Sequence, residues 1–451
     1  MSDGHKGHNK GYFGENAGLN RRSFLAAAGT GASAAVAGCS GLGGGGDSGP
    51  IKIGGVYLLS GIAQALGTSS ANAAKAAVSA INDNGGINGR QVEFQARDHG
   101  SNPQQTIKSM VQEFGADVMV GLTSSGVTLN SAPTIESLGV PFTLTDIGTP
   151  YITEYDTEAY GNYYESDSGK AAFTPNMFRT NANTSIMTYA IAKFIKEEYG
   201  AMKVANMGPD YAYGHQTWEY FKAYSEGLGV DHEYVASEFP SLGASDMTPQ
   251  INSVLSADPD IVFTSFWAGD TTTFISQAAD QGLFDQVEDV FDTIGADPTV
   301  YKALGDTTPE GIHMSGWYWP TAYDNQYNDA FLEKYKSMFK DENTPSVPGF
   351  TGGSTWAAIK TYKQVIEAAG STNADDIISE MEGFTLEEDP RGPTTLKPKS
   401  HQASAPTVIG ETSFDADVPY DGAGLANTQT YTLSRSKAKE LLKGSGLGPG
   451  V

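Results

Sequence analysis

Three short stretches of this 451-residue chain carry side chains suited to gripping a small polar molecule. Thr123-Ser124-Ser125-Gly126 sets hydroxyls just before a helical pattern, so hydroxyls and backbone N–H groups would meet the positive end of a helix dipole and suit a carboxylate. A serine there can be a plain N-cap, but a cap needs one hydroxyl and this loop offers Thr123, Ser124 and Ser125. Asp210-Tyr211-Ala212-Tyr213-Gly214 gathers two tyrosines outside any apolar stripe, and Phe266-Trp267-Ala268-Gly269-Asp270 places a tryptophan on a loop. Such rings offer a rigid apolar face with a polar edge.

Enzyme chemistry leaves no comparable trace. The histidines show no metal-site spacing of the HExxH kind, and no GxSxG elbow surrounds Ser124 or Ser125. Cys39 is the single cysteine, which excludes an intramolecular disulfide and thiol catalysis in the mature body. The glycine clusters at 29–31 and 444–450 do not join a strand to a helix, so no phosphate or dinucleotide loop is expected. A carboxylate pair among the 53 acidic residues stays open. The expectation is a binding protein with no enzyme activity, no cofactor and no metal.

The elements that position these loops follow a strand–helix alternation. Ile51, Ile53, Val56, Leu58 and Leu59 form a short apolar run ended by Ser60-Gly61, which predicts a buried strand. Ala71 to Ile81 predicts a helix, with Ala74, Ala77, Val78 and Ile81 on one face, stopped by Asn82-Asp83-Asn84-Gly85-Gly86. Gln91 to Ala96 then completes a βαβ unit. Asn102 caps a helix that starts on Pro103 and buries Ile107, Met110, Val111 and Phe114. Strand Asp117–Leu122, helix Val127–Leu138 and strand Val140–Thr145 follow, the last ending in Asp146-Ile147-Gly148-Thr149. Farther on, strands at 203–207, 233–236, 260–265 and 289–292 alternate with helices at 185–199, 213–228, 247–255 and 271–281. Helices at 325–339, 354–369 and 374–381 come later, and the glycine-rich residues 443–451 read as a disordered tail. The hydroxyl-bearing loops all fall at the carboxyl ends of strands, where open α/β sheets bind ligands.

Composition bounds the setting. A net charge of −25, from 53 acidic against 28 basic residues, argues against a nucleic-acid partner. The scattered carboxylates read as a solvated acidic coat, as in proteins of salt-loving, archaeal sources. Asn20-Arg21-Arg22-Ser23-Phe24-Leu25 has the form of a twin-arginine export signal, and the apolar run after it is shorter than the roughly 20 residues a membrane span needs. Val36-Ala37-Gly38-Cys39 resembles a lipobox, so residues 1–39 read as a signal and Cys39 as the lipid anchor. Residues 40–50 would be a flexible tether, and the body would stand outside the cell on the outer face of the cytoplasmic membrane.

The stretches LLSG, NDNGGINGRQVEF and ARD followed by NPQQ resemble the N-terminal lobe of type I periplasmic-type solute-binding proteins for branched-chain amino acids. The turn GGINGR is the most specific part. The resemblance implies two Rossmann-like α/β lobes, each a parallel sheet flanked by helices, joined by a three-strand hinge and closing on a small solute for delivery to an ABC permease. Residues 51–178 and 315–392 would form the first lobe, and 179–314 and 393–442 the second. Crossings are expected near Phe178-Arg179-Thr180, Gly311–Trp319 and Arg391–Lys397. By the same resemblance Ser125, with Ser124 beside it, holds a ligand carboxylate. Ile147 and Thr149 fall near the next loop's contacts, and Tyr213 and Trp267 supply aromatic walls. The chain departs from the family at Phe291-Asp292-Thr293-Ile294-Gly295, where Ile294 stands at the position of the ammonium-binding glutamate. Asp292, Asp270 or Asp297 could replace it, and if none does, an amide, urea-like or aromatic acid solute becomes reasonable. A sensory ectodomain of the same fold is the other reading, but no transmembrane segment follows residue 51.

Overall fold

The computed structural model describes residues 49–160, 165–166, 169–170, 173–339 and 346–451. The expected signal, the anchor Cys39 and nearly all of the tether lie outside the described residues.

Five parallel strands build the first sheet: β1 (Ile51–Tyr57), β2 (Val92–Asp98), β3 (Val118–Thr123), β4 (Phe142–Asp146) and β5 (Met177–Arg179), in the order β2-β1-β3-β4-β5. Because successive side chains of a strand face opposite ways, Val118 and Val120 enter one apolar cluster while Met119 enters another, and Leu122, whose φ is +62, leaves the alternation to join Met119. The two faces are covered by α1 (Gln64–Asp83), α2 (Pro103–Ser109) and α3 (Ser125–Leu138). Asn102 caps α2 as expected, its side chain accepting from the Gln105 N–H at 3.3 Å.

Helix α1 starts at Gln64, well before the expected Ala71. Gly67, in the added turns, allows close approach: a Cβ on it would lie 2.0 Å from the Leu58 carbonyl oxygen. At the far end Gly86 adopts φ +80, with the Arg90 carbonyl where a Cβ would stand.

The second sheet holds β6 (Lys203–Met207), β7 (Glu233–Glu238), β8 (Ile261–Thr264), β9 (Asp289–Asp292), β10 (His313–Gly316), β11 (Thr407–Ser413) and β12 (Gly424–Tyr431). Its order is β12-β11-β10-β9-β8-β6-β7. The five strands from β10 to β7 run parallel, whereas β11 and β12 add antiparallel. Helices α4 (Thr184–Glu198), α5 (Ala212–Gly227), α6 (Thr248–Ser256), α7 (Gly269–Asp280) and α8 (Pro298–Leu304) flank it. Next along the chain come α9 (Gln326–Met338), α10 (Gly352–Ala369) and α11 (Ala374–Met381), whose Phe331, Trp356, Ile359 and Ile377 join the core of the first sheet. Helix α12 (Arg435–Leu441) returns to the second. Among the described residues no helix is long and apolar enough to cross a membrane.

The chain passes between the sheets three times. The first passage follows Arg179, the last residue of β5. The second follows β10, which still pairs with β9, so His313–Gly316 belong to the second sheet. The third lies later than 391–397: Leu396, Ala403 and Ala405 still pack in the first core, and Thr407 opens β11. These passages bond to one another. The Arg179 N–H donates to His401 O at 2.9 Å, the Ala403 N–H donates to Arg179 O at 2.8 Å, and Arg391 Nη1 donates to Thr180 O at 3.0 Å.

Residues 443–451 are not a disordered tail. Leu447 and Val451 are buried, and Gly450 O accepts from Thr153 Oγ1 and from Asn183 Nδ2, both at 2.8 Å. Glycine content misleads here because those residues let the backbone lie flat against Pro150, where a Cβ on Gly450 would approach to 2.2 Å.

Candidate functional site

At the carboxyl ends of both sheets lies a narrow cavity of about 20 Å³ lined by Thr123, Ser124, Ser125, Asp146, Gly148, Tyr211, Tyr213, Trp267, Ile294, Trp317 and Phe350. Its lining mixes aromatic rings with a few polar groups, as ligand sites do. No lysine, arginine or histidine is among the lining residues.

The first sheet brings the hydroxyls. Strand β3 ends in strain: Leu122 and Ser124 have φ of +62 and +79, and Ser124 is the N-cap of α3 without a side-chain cap bond. A non-glycine residue held in such a conformation costs about 1–3 kcal/mol and is a common mark of functional turns. Ser125 Oγ accepts from the Thr149 N–H at 3.0 Å, which leaves its O–H free to donate. The second sheet brings the rings. Tyr213 is buried at the start of α5 and its hydroxyl bonds Thr293 Oγ1 at 2.8 Å. Trp267 is 4% exposed with Nε1 unpartnered, and the next residue, Ala268, has φ +50. The two sides touch directly, since a Cβ on Gly148 would meet the Tyr213 ring at 2.4 Å.

Ser124, Ser125, Tyr213 and Trp267 are therefore brought together. Ile147, Thr149 and Asp292 do not line the cavity. The Ile147 side chain turns into the apolar core beneath β4, and its carbonyl accepts from Arg179 Nη1 at 3.2 Å and Asn181 Nδ2 at 2.9 Å. Thr149 O accepts from Arg179 Nη2 at 2.6 Å. A wholly buried guanidinium, its pKa drawn down to about 9 by burial, thus clamps this loop and presents Gly148 as the wall. Asp292 sits behind Ile294, accepting from the Ile294 N–H at 3.0 Å, and burial lifts its pKa to about 8. The other acids considered are also engaged with backbone. Asp270 accepts from the Gly243 N–H at 3.0 Å, and Asp297 accepts from the Thr299 N–H at 2.8 Å and the Phe350 N–H at 3.0 Å. Ile294, at the glutamate position, does line the wall.

Sequence reasoning missed Asp146, Gly148, Tyr211, Trp317 and Phe350 as lining residues. Asp146 ends β4 and was read only as part of a loop, although its register partner in β3 is Thr123. Trp317 and Phe350 reach the cavity from the second passage and from the turn before α10, which no local pattern marks.

A family model described as periplasmic binding protein matches residues 50–417. The chain is 26% identical to Leu/Ile/Val-binding protein homolog 3 of Brucella melitensis over 72% of its own length and 80% of that protein's. Among solved structures it resembles the solute binding protein of an R. palustris ABC transporter in complex with 4-hydroxybenzoate, with a TM-score of 0.72 at 21% identity, covering 85% of this chain and 97% of that one. It also resembles an amino acid ABC transporter substrate-binding protein from Pseudomonas fluorescens, with a TM-score of 0.72 at 18% identity, covering 88% and 99% respectively.

Proposed function

The chain belongs to the periplasmic binding protein family, and from that premise we propose that it is the extracytoplasmic receptor of an ABC transporter, closing two lobes on a small amino-acid-like solute. The observation that carries this reading is one cavity faced by the hydroxyl loop of the first sheet and the aromatic loops of the second. Neither side alone encloses a solute. Binding energy is gained only when both make contact, so the solute favours the closed state and the permease meets a liganded form. The solute's carboxylate lies at the N-terminus of α3, where Ser124, Ser125 and unpaired backbone N–H groups offer donors. Its body lies against Tyr213 and Trp267.

The Leu/Ile/Val-binding homologue and the amino acid transporter neighbour support an amino-acid-like solute. The neighbour holding 4-hydroxybenzoate, together with the aromatic lining, supports an aromatic acid as the second reading. The role is binding rather than catalysis. The mature chain is anchored outside the membrane through lipid on Cys39 after twin-arginine export, as the leader's motifs support. Titration calorimetry with amino acids, amides, urea and aromatic acids tests the proposal. A ligand should emerge whose affinity falls in both Tyr213→Ala and Trp267→Ala while their circular dichroism stays native. Unchanged affinity in both variants would remove this site.

A further inference from the structure

Asp146 stands apart from the other acids around the cleft. It is 5% exposed, it lines the cavity, and its Oδ2 has no hydrogen-bond partner. Asp292 Oδ2 is unpartnered as well, but Asp292, Asp270 and Asp297 each accept from at least one backbone N–H and none of them lines the cavity. A carboxylate taken out of water with a single hydroxyl, that of Thr123, to offset its burial is costly to ionise, and a positive partner would keep it charged. Among the described residues the cavity lining supplies none, since it contains no basic residue, and the buried Arg179 guanidinium is engaged by the Ile147 and Thr149 carbonyls. The titratable groups acting on it are Tyr57 on β1, Tyr211 and Tyr213 at the start of α5, and Asp297 just before α8. All are neutral or negative near pH 7. Asp297 of the second sheet therefore disfavours the ionised form of Asp146 of the first.

Position adds a second constraint. Asp146 and Thr123 are register partners in adjacent parallel strands, which lie about 4.8 Å apart. Thr123 leads directly into Ser124-Ser125. A site for a cation thus lies next to a site for a carboxylate, as an α-amino acid, with both charges on one carbon, requires.

We infer that Asp146 receives the positive group of the solute, so that the cleft selects ammonium-bearing molecules over the corresponding deaminated acids. The inference rests on the cavity being the solute site proposed above, and it assigns the role that Ile294 cannot fill to the opposite lobe. Burial and then Asp297 push the Asp146 carboxyl well above the usual carboxylate range, with the Thr123 hydroxyl pulling the other way. Without solute, a proton takes the cation's place. Cation binding must displace it, so affinity rises with pH.

Calorimetry on the full chain tests this with L-leucine, L-glutamine and L-phenylalanine against 4-methylpentanoate, 3-phenylpropanoate and 4-hydroxybenzoate, at about pH 5 and about pH 8. The wild type should bind at least one amino acid about 100-fold more tightly than its deaminated partner, and more tightly at the higher pH. Asp146→Asn should lose about 100-fold of that affinity and its pH dependence, while melting no lower than wild type without ligand. Asp146→Ser provides the same readout if the asparagine variant does not fold. Equal affinity for the amine and its deaminated acid, or an Asp146→Asn variant within about threefold of wild type, overturns the inference. Tight binding of 4-hydroxybenzoate alone, still sensitive to Trp267→Ala, overturns it and leaves the receptor reading standing. No binding across the panel counts against both.

Discussion

The two walls of the cavity are built differently. The first sheet contributes Thr123, Ser124, Ser125, Asp146 and Gly148, all polar or bare backbone, from the ends of two adjacent strands. The second contributes Tyr211, Tyr213, Trp267 and Ile294, large apolar bodies from loops after β6, β8 and β9. One wall is polar and the other is mostly aromatic. The division has a mechanical consequence. In the receptor proposed above, a solute would meet the polar wall while the lobes are apart and the rings only when they close, so closure would draw most of its energy from the aromatic side.

Blocking contact between the walls should do the most damage. Gly148→Val places atoms inside the Tyr213 ring, and the strain of overpacking, about 1–3 kcal/mol or more, should lower affinity roughly 100-fold. Small-angle scattering should also show that this variant no longer compacts on adding ligand. Removing the largest ring, Trp267→Ala, should cost about 2 kcal/mol, roughly 30-fold in Kd by calorimetry. Tyr213→Phe keeps the ring and loses only the bond to Thr293, so about 1 kcal/mol, or roughly fivefold, is expected.

Asp292→Asn should change affinity least, within about threefold, because that carboxylate lies behind Ile294 rather than in the cavity. Its signature is in stability. The folded-state pKa of Asp292 is raised from 3.8 to about 8. Its ionisation therefore costs stability that grows as pH rises through that window and is complete above it. Asp292→Asn should melt higher than wild type above about pH 8, with the gain gone below about pH 4. Scanning calorimetry across that range checks the sign. A contribution of Asp292 to the solute's charge would instead appear as a loss of affinity comparable to that of Asp146→Asn.

Much of the architecture was legible because strands such as Ile51–Tyr57, Val118–Thr123 and Ile261–Thr264 are short apolar runs, and helices such as α2 and α11 carry an N-cap. Strand Asp289–Asp292 and helix Ala374–Met381 fall where the sequence put them, and Lys203–Met207 does as well. Tertiary demands account for the misses. Gly67 precedes the expected helix and Gly450 reads as a tail residue, but both are contact points where backbone meets backbone or Pro150. The later strands Thr407–Ser413 and Gly424–Tyr431 carry too many polar residues to stand out, because they extend the sheet toward its edge. In the site, the hydroxyl loop and the rings could be found because local composition marks them. Asp146 could not, since an aspartate at a strand end is ordinary until its unpartnered oxygen is seen. Ile147 and Thr149 were placed one residue to either side of Gly148, and strand-end geometry turns those neighbours away from the wall that Gly148 forms.

The most direct measurement is a crystal structure of the chain bound to the tightest amino acid in the calorimetric panel. The account predicts that the solute bridges the walls, with its carboxylate on the N-terminus of α3, its ammonium on Asp146 and its side chain against Trp267 and Tyr213. A solute touching residues of one sheet only, or bound with its ammonium remote from Asp146, would contradict it.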